Sequence, residues 1–420
     1  MATLDRPKLR PMSPRSFRHE GQDFVALIDP SGVVTAPVSV PLAGFQHVIR
    51  HFDGQTALTE IQARVLRSTG QLLPASDLQR LVEQLDQAMV LDGPTFSAFL
   101  DDYRQQLIRP SAFAGRSYAG TERALRAQLA QLFVDQRGAG FPEIDSRIEP
   151  EIESSGLLRA VLVPHIDFAR GGTVYTHAYK ALIEQSEAET FVILGVAHQP
   201  CRQRFVLTHK DFETPLGLAR TDRAFVDRLV NVVGDHLQAD ELVHRAEHSI
   251  EFQVVFLQYL LGERRDFSIV PILVGSFHDL MEQGIDPITH PEVGQFVEAL
   301  RAAESACSGK VAYIGSIDLG HIGREFGDPD LIDDRTLDRL RSFDEAMLGH
   351  AEAGDPGAWF RTAAAVGDCW RTCGLSATYT LLHAIGPSTG RLLKYDQAVD
   401  DARTCVVSFA SLELKQRTHS

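Results

Sequence analysis

The stretch Val161-Leu-Val-Pro-His-Ile-Asp-Phe-Ala-Arg-Gly-Gly172 decides how this chain is expected to fold. Residues 157–163 are apolar except for Arg159, and Pro164 ends the run, which is typical of a mostly buried strand. His165 follows directly, where such a strand ends. Because ligands of α/β sheets bind at the carboxyl edge of the strands, His165 is a candidate site residue.

The same arrangement occurs twice more along the chain. Phe191-Val-Ile-Leu194 predicts a second strand, and His198 lies just past its end. Val311-Ala-Tyr-Ile-Gly315 predicts a third strand, which is followed by Asp318 and His321. Strand ends bring side chains from distant parts of the sequence to one crevice, and neutral imidazole is the commonest protein metal ligand. The three histidines therefore predict one site, and their placement favours a metal site.

From Leu157 onward, strands and helices alternate, which predicts an α/β domain with a central sheet flanked by helices on both faces. The predicted strands are 157–163, 190–195, 204–208, 267–274 and 311–315. The predicted helices lie near 121–133, 174–186, 222–233, 247–261, 288–306, 330–352 and 374–386. An antiparallel pair, 392–395 with 405–409, is expected to end the chain.

The first hundred residues predict a small separate α+β domain, so the expected domains are 1–105 and 106–420. About twenty residues form a loose arm, and a hairpin pairs 23–28 with 33–34. Three helices follow near 41–52, 57–69 and 76–90, and a connecting helix near 98–108. The topology resembles a winged-helix or peptide-clamp module, and an accessory domain with only a docking role is the alternative. The chain has no basic recognition helix, which argues against DNA reading.

Composition narrows the class of protein. The 420 residues carry a net charge of −15, which argues against a general nucleic-acid partner. No apolar run approaches the roughly 18 residues that a membrane span needs, and the basic N-terminus lacks the apolar core of a secretory signal. Five cysteines are an odd number and form no paired framework. A cytoplasmic protein with reduced thiols is the expectation.

Three further candidates each have more than one interpretation. Cys373 begins a helical pattern, where a helix N-terminus favours the metal-binding thiolate, but it would equally suit a small buried position. His248 and Glu251 share one helix face, which fits acid/base work or support of a liganding histidine, and also a helix cap. Asp318 is placed to orient a histidine, to bind substrate or to cap the following segment.

Eight motifs, in order along the chain, resemble the Memo family, which is also called AmmeMemoRadiSam system protein B. Residues 109–118 resemble the opening segment of that family, and the resemblance covers about residues 109–410. The motifs are Pro164-His165 with Gly171-Gly172, His177-Ala-Tyr-Lys180, Leu194-Gly-Val-Ala-His198, Thr214-Pro-Leu-Gly217, Glu247-His-Ser-Ile-Glu251, Val270-Pro-Ile-Leu-Val-Gly275, Ser316-Ile-Asp-Leu-Gly-His321 and Cys373-Gly374.

The resemblance implies a fold like that of class III extradiol dioxygenases. His165, His198 and Cys373 match the metal-binding positions, and His321 matches the nearby acid/base histidine. By this resemblance iron is the favoured metal. A cysteine stands where those dioxygenases have the carboxylate that suits Fe(II), and its softer thiolate also admits copper or zinc. Gly320 stands where the family often has a further cysteine. The resemblance also implies a radical-SAM protein and an Ammecr-type protein as partners.

These observations predict a metal-binding, iron-dependent redox protein that acts on a small molecule or a peptide. His321, Asp318 and His248 are the candidate catalytic residues, and His165, His198 and Cys373 the candidate metal ligands. Two alternatives stay open: a non-catalytic binding or scaffold protein of a modification complex, and a copper–thiolate redox protein. Fold alone does not assign a reaction.

Overall fold

The computed structural model describes residues 4–143 and 157–417. The chain divides into two compact units, Met1–Gln106 and Leu107–Ser420. Their border lies one residue from the boundary expected from sequence. Part of the predicted polar loop before Leu157, residues 144–156, lies outside the described residues.

The N-terminal unit combines one antiparallel sheet with four helices. The sheet has the order β1-β2-β3, with strands β1 (Ser13–His19), β2 (Gln22–Ile28) and β3 (Val38–Pro41). The helices are α1 (Leu42–His47), α2 (Leu58–Thr69), α3 (Ala75–Gln87) and α4 (Pro94–Gln105). Leu27 of the sheet packs with Ile61 of α2 and Leu78 of α3 in one core. Apolar residues spaced three or four apart give α2 and α3 their buried faces.

The predicted loose arm and the predicted hairpin partner are both wrong. Residues from Ser13 form β1, and Phe17 pairs with Phe24 across the hairpin. Glu20 and Gly21 form its two-residue turn, with φ of 48° and 79°. Such a turn requires positive φ at both positions, and Glu-Gly lacks the Asn-Gly or Asp-Gly signal that predicts it. Val34 is outside the sheet because its N–H donates to the Asp29 carboxylate at 2.9 Å, which redirects the chain.

The C-terminal unit contains eleven strands and nine helices among its described residues. The strands are β4 (Ile108–Arg109), β5 (Leu158–Val163), β6 (Thr190–Val196), β7 (Phe205–Leu207), β8 (Asp211–Thr214), β9 (Gly217–Thr221), β10 (Ser268–Val274), β11 (Val311–Ser316), β12 (His321–Ile322), β13 (Ser388–Val399) and β14 (Val406–Gln416). The helices are α5 (Glu122–Val134), α6 (Phe168–Gln185), α7 (Arg223–Val233), α8 (His248–Leu261), α9 (His278–Glu282), α10 (Pro291–Ser305), α11 (Asp334–Glu352), α12 (Pro356–Ala365) and α13 (Leu375–Ile385).

All eleven strands belong to one sheet, with the order β12-β14-β5-β11-β6-β10-β9-β8-β4, while β13 pairs with β14 and β7 with β10. The neighbours β5, β11, β6 and β10 are parallel. Successive side chains of a strand face opposite ways. Leu162 accordingly packs in one core with residues of α10 and α13, and Val161 in another with residues of α6 and α8. The large central sheet flanked by helices is therefore confirmed.

Several elements of this unit differ from the sequence expectation, which did not include β4, β8, β9, β12 or α9. The terminal strands are longer than predicted, and Leu392 pairs with Leu412 rather than with a residue of 405–409. Helix α12 was not predicted, because its apolar stripe is only Trp359, Phe360 and Ala363. Packing against α13 makes this short stripe a buried face. None of the helices in residues 4–143 and 157–417 combines the length and apolarity that crossing a bilayer requires.

Asp344 of α11 should make the stability of this unit depend on pH. Its side chain is fully buried, its Oδ2 accepts a hydrogen bond from the Tyr395 hydroxyl at 2.8 Å, and burial raises its pKa from 3.8 to about 7. The folded state therefore binds the proton more tightly than the unfolded chain does. This stabilisation is complete below the unfolded pKa and is lost as pH rises towards the folded pKa, at about 1.4 kcal/mol per pH unit.

We expect Asp344→Asn to remove this contribution to the pH dependence of the unfolding free energy. The exposed Asp338→Asn, on the same helix, should retain it. Urea unfolding followed by tryptophan fluorescence measures this unit alone, because both tryptophans of the chain, Trp359 and Trp370, lie in it. Identical pH profiles for wild type and Asp344→Asn would contradict the prediction.

Candidate metal centre

Three histidines meet at the carboxyl edge of the parallel strands. His165 follows β5, His198 follows β6, and His248 is the first residue of α8. One ligand atom from each lies within 4.8 Å of the others, so this group could hold a metal ion. The His198 and His248 rings stack with centroids 4.6 Å apart, and His165 meets both rings edge-on. Strand β11 lies between β5 and β6, so the two strand-end histidines meet beside the end of β11, where His165 Nδ1 lies 3.0 Å from Ser316 O.

Cys373 lies against the same two strand-end imidazoles. Its Sγ is 3.2 Å from His165 Nε2 and 3.4 Å from His198 Nε2. Two ligands of a tetrahedral metal ion, at about 2.3 Å for sulfur and 2.0–2.1 Å for nitrogen, lie about 3.5 Å apart. The spacing of the three atoms therefore fits a shared metal ion. The backbone N–H of Cys373 donates to Leu319 O at 3.0 Å, which joins its loop to the segment after β11.

The hydrogen bonds of His165 leave its Nε2 facing the thiol. Its Nδ1 donates to Ser316 O at 3.0 Å. Asp318 Oδ1 accepts the backbone N–H groups of His165 and Ile166, at 3.0 and 3.2 Å. Gln253 of α8 donates to Pro164 O and to Ser316 Oγ, both at 2.7 Å. These bonds hold the ring in the orientation and tautomer that metal binding requires.

Glu247 plays the corresponding part for His198. Its Oε1 accepts from His198 Nδ1, and its Oε2 from the backbone N–H of His198, each at 3.0 Å. Oε1 also caps α8 by accepting the N–H groups of His248 and Ser249. Burial alone would raise the pKa of Glu247, but the charge of His198 and their hydrogen bond hold it well below its usual value.

The net pKa shifts of His198 and Cys373 are decided by different effects. Burial lowers the pKa of His198, but the charges of Cys373 and Glu247 together raise it well above the usual value. Burial also raises the pKa of the Cys373 thiol, an effect that the neighbouring His198 only partly opposes. Burial, which favours the neutral thiol, therefore outweighs the effect of the helix N-terminus, which was expected to favour the thiolate. Binding a metal ion to imidazole and thiolate here would release protons.

His248 and Glu251 have separate environments although they share a helix face. The His248 ring packs against Phe113 and Phe252, and burial lowers its pKa to about 4. Glu251 accepts the N–H groups of Ala112 and Phe113 and pairs with buried Arg109. Glu251 therefore anchors the segment that opens this unit, and the support of a candidate ligand comes from Glu247.

His321 and Asp318 lie beside the group of three histidines. His321 Nδ1 donates to Leu319 O at 3.0 Å, and burial lowers the pKa of the ring to about 4. The charge of His198 contributes to that shift. Burial raises the pKa of Asp318 to about 7, and its Oδ2 lies 3.7 Å from His165 Nε2. The contacts of Asp318 favour the first of its sequence interpretations, that of orienting a histidine.

Sequence reasoning missed Glu247, Ser316 and Gln253 as parts of this site. A usable signal existed for Gln253, one of two glutamines in the apolar run 252–261 of α8. Buried polar groups need hydrogen-bond partners, so such a residue marks a contact with another polar group. For Glu247 the sequence showed only that it precedes the candidate His248, and for Ser316 only that it stands at the end of a predicted strand.

An α/β sheet that carries three imidazoles and a thiol at its carboxyl edge defines a candidate mononuclear metal-binding protein. The chain belongs to the Memo-like protein family, whose sequence profile matches residues 109–413. The matched region contains all four side chains of the cluster, His165, His198, His248 and Cys373.

Individual relatives agree with this assignment. A MEMO1 family protein of Aquifex aeolicus is 27% identical over 399 residues, which cover 93% of this chain and 96% of that protein. Such coverage includes most of the N-terminal unit. A MEMO1 family protein of Thermus thermophilus is 30% identical and covers 73% of this chain and 83% of that protein. One of Methanopyrus kandleri is 31% identical and covers 70% of this chain and 93% of that protein. An uncharacterized Escherichia coli protein of solved structure is 15% identical, and the alignment covers 61% of this chain and 99% of that one. Its TM-score of 0.35 is too low to assign the fold.

Proposed function

We propose that this protein is an iron-dependent redox enzyme whose metal ligands are His165, His198 and Cys373. The observation that supports this most directly is the position of Cys373 Sγ, at 3.2 and 3.4 Å from the Nε2 atoms of the two histidines. Both imidazoles are held through Nδ1, which leaves Nε2 as the ligand atom. The proposal includes a fold like that of class III extradiol dioxygenases and a place in the cytoplasm.

Bound ferrous iron would supply open coordination positions at which dioxygen and a substrate oxygen meet. The proposed substrate is a small molecule or a peptide side chain. The His198 side chain is 37% exposed, so it is accessible from solvent. A cavity of about 790 Å³ adjoins it, lined also by Arg202 and Ser276. This volume is ordinary for a small-molecule site.

In this proposal His321 moves a proton. Its Nδ1 is engaged with Leu319 O, and its pKa of about 4 keeps the ring neutral near pH 7. Nε2 is therefore the atom that accepts a proton from a substrate hydroxyl. Asp318 positions His165 through its backbone N–H. His248 covers one side of His198 and is available as a further metal ligand.

Metal content of protein purified without oxygen tests the ligand assignment. We expect about one iron per chain in wild type, measured by elemental mass spectrometry, and loss of the iron in His165→Ala and Cys373→Ala. The matched control is Cys369→Ala, which removes an exposed thiol four residues away. Equal metal content in all four proteins, or wild type that refuses added Fe(II), would contradict the proposal.

A copper–thiolate redox protein is the second candidate, and the same sulfur supports it, since thiolate favours Cu(I) and zinc more than a carboxylate does. Competition between Fe(II) and Cu(I) for the wild-type protein separates the two. Preference for Cu(I) at equal free metal concentrations would replace iron in the proposal.

The partners in this proposal are a radical-SAM protein and an Ammecr-type protein, as the resemblance to the family implies. Size-exclusion chromatography of the full-length chain mixed with each purified partner tests this. Separate elution under reducing, anaerobic conditions would count against a stable complex. A non-catalytic scaffold remains the alternative if the partners bind and the metal does not.

A further inference from the structure

The N-terminal unit contains a cavity of about 580 Å³ whose lining includes three arginines and two histidines. Arg50 lies in the short turn after α1, and Arg64 and Arg67 lie on α2. Glu60 is the one carboxylate among the lining residues. Such a concentration of positive charge is unusual in a chain with a net charge of −15. No residue of the candidate metal centre takes part in it.

The cationic groups come from two elements, the short turn after α1 and the helix α2. Two guanidinium groups flank the His51 ring, Arg50 at Nε2 and Arg64 at Nδ1, each at 3.4 Å. On α2, residues 60, 64, 67 and 68 share one face because they are four, seven and eight positions apart. Arg64 and Arg67 are about 4.5 Å apart along the helix axis at 1.5 Å per residue, and Glu60 lies about one turn before Arg64.

Among the described residues, one of the three arginines is paired with a carboxylate of the unit, and the other two are not. Glu60 pairs with Arg64 only, and both side chains are at least 39% exposed. Arg50 and Arg67 are exposed, and neither has a carboxylate within ion-pair distance in the described part of the chain. Burial and the charges of Arg50 and Arg64 lower the pKa of His51, which is consistent with a positive potential in the cavity.

We propose that this cavity is a docking site for an acidic peptide segment of a partner protein, which Arg50, Arg64 and Arg67 bind through its carboxylates. Guanidinium groups pair with carboxylates in a planar, two-pronged geometry, which favours arginine at such sites. Three guanidinium groups from two elements fit a chain that carries several carboxylates better than they fit one phosphate group. The opposite face of α2 buries Ile61 and Val65 in the core, so the helix that carries the arginines is firmly held.

Fluorescence anisotropy of labelled hexaglutamate with the full-length protein tests the proposal. We expect binding that weakens at least about tenfold between low salt and about 0.3 M salt, because screening reduces attraction between exposed charges. The double variant Arg50→Glu/Arg67→Glu should weaken binding at least about tenfold as well. The matched control is Arg80→Glu, on α3 of the same unit, which should bind like wild type.

Four outcomes would overturn the proposal: absence of hexaglutamate binding, equal binding by wild type and the double variant, tighter binding of inorganic pyrophosphate, and tighter binding of a DNA duplex. The milder Arg50→Gln/Arg67→Gln variant, checked by thermal unfolding, replaces the charge reversal if that protein does not fold. Metal content should be unchanged in these variants, so a failure here is distinguishable from a failure of the proposed metal centre.

Discussion

Arg109→Met should lower the unfolding free energy of the C-terminal unit by about 3–5 kcal/mol. The guanidinium group is fully buried and pairs with Glu251, which is also fully buried. It donates in addition to the backbone carbonyls of His244 and Glu247, at 2.7 and 2.8 Å. Methionine has similar length but no charge, so Glu251 would remain as a buried carboxylate without its cation, and two carbonyls would lose their donor.

The measurement is urea unfolding followed by tryptophan fluorescence. The control is Arg126→Met, in the same unit, where the ion pairs with Glu122 and Glu263 lie at the surface. Exposed pairs contribute about 0.2–1 kcal/mol, so this variant should change little. A loss below about 1 kcal/mol for Arg109→Met would show that the buried pair is not the anchor of the segment 109–118.

Glu247→Gln should weaken metal binding by about 10–100-fold, the usual cost of losing the group that orients a metal-binding histidine. Glutamine still offers an oxygen to the backbone N–H groups of His248 and Ser249. What it removes is the second acceptor oxygen, which binds the backbone N–H of His198, and the negative charge beside that ring. The charge raises the pKa of His198 and makes it a better ligand. The substitution therefore separates the electrostatic role of Glu247 from its role as a helix cap.

Anaerobic titration against a chromophoric chelator measures the affinity, and tryptophan fluorescence reports whether the fold is retained. Glu292→Gln is the matched control, since that carboxylate is about half exposed and pairs with Arg204 on the surface. It should bind metal as wild type does. A Glu247→Gln protein that is folded and keeps wild-type affinity would exclude this carboxylate as a support of the metal centre.

Most strands and helices of the C-terminal unit could be predicted because their apolar runs are long enough to show a period. The run 157–163 predicts a strand whatever its neighbours are, and the observed strand is Leu158–Val163. Sequence reasoning instead missed elements that form only because they pair with another part of the chain. Strand β1 has no buried residue, so its sequence carries no alternation between apolar and polar faces, and a turn with an unremarkable Glu-Gly pair creates it.

The sequence by itself determined where the candidate site lies. Buried apolar runs end at His165 and near His198, and parallel strands of one sheet end at the same edge, so both side chains were expected at that edge. Only the tertiary structure decided which groups complete the site. Cys373 is 208 residues from His165 in the chain and 3.2 Å from it in space. Helical spacing placed Glu251 on the same face as His248. In the folded unit, however, Glu251 pairs with Arg109, and the carboxylate that binds His198 is Glu247. The reason is physical: spacing along a helix determines which face a side chain shares, whereas its partner depends on what the rest of the fold packs against that face.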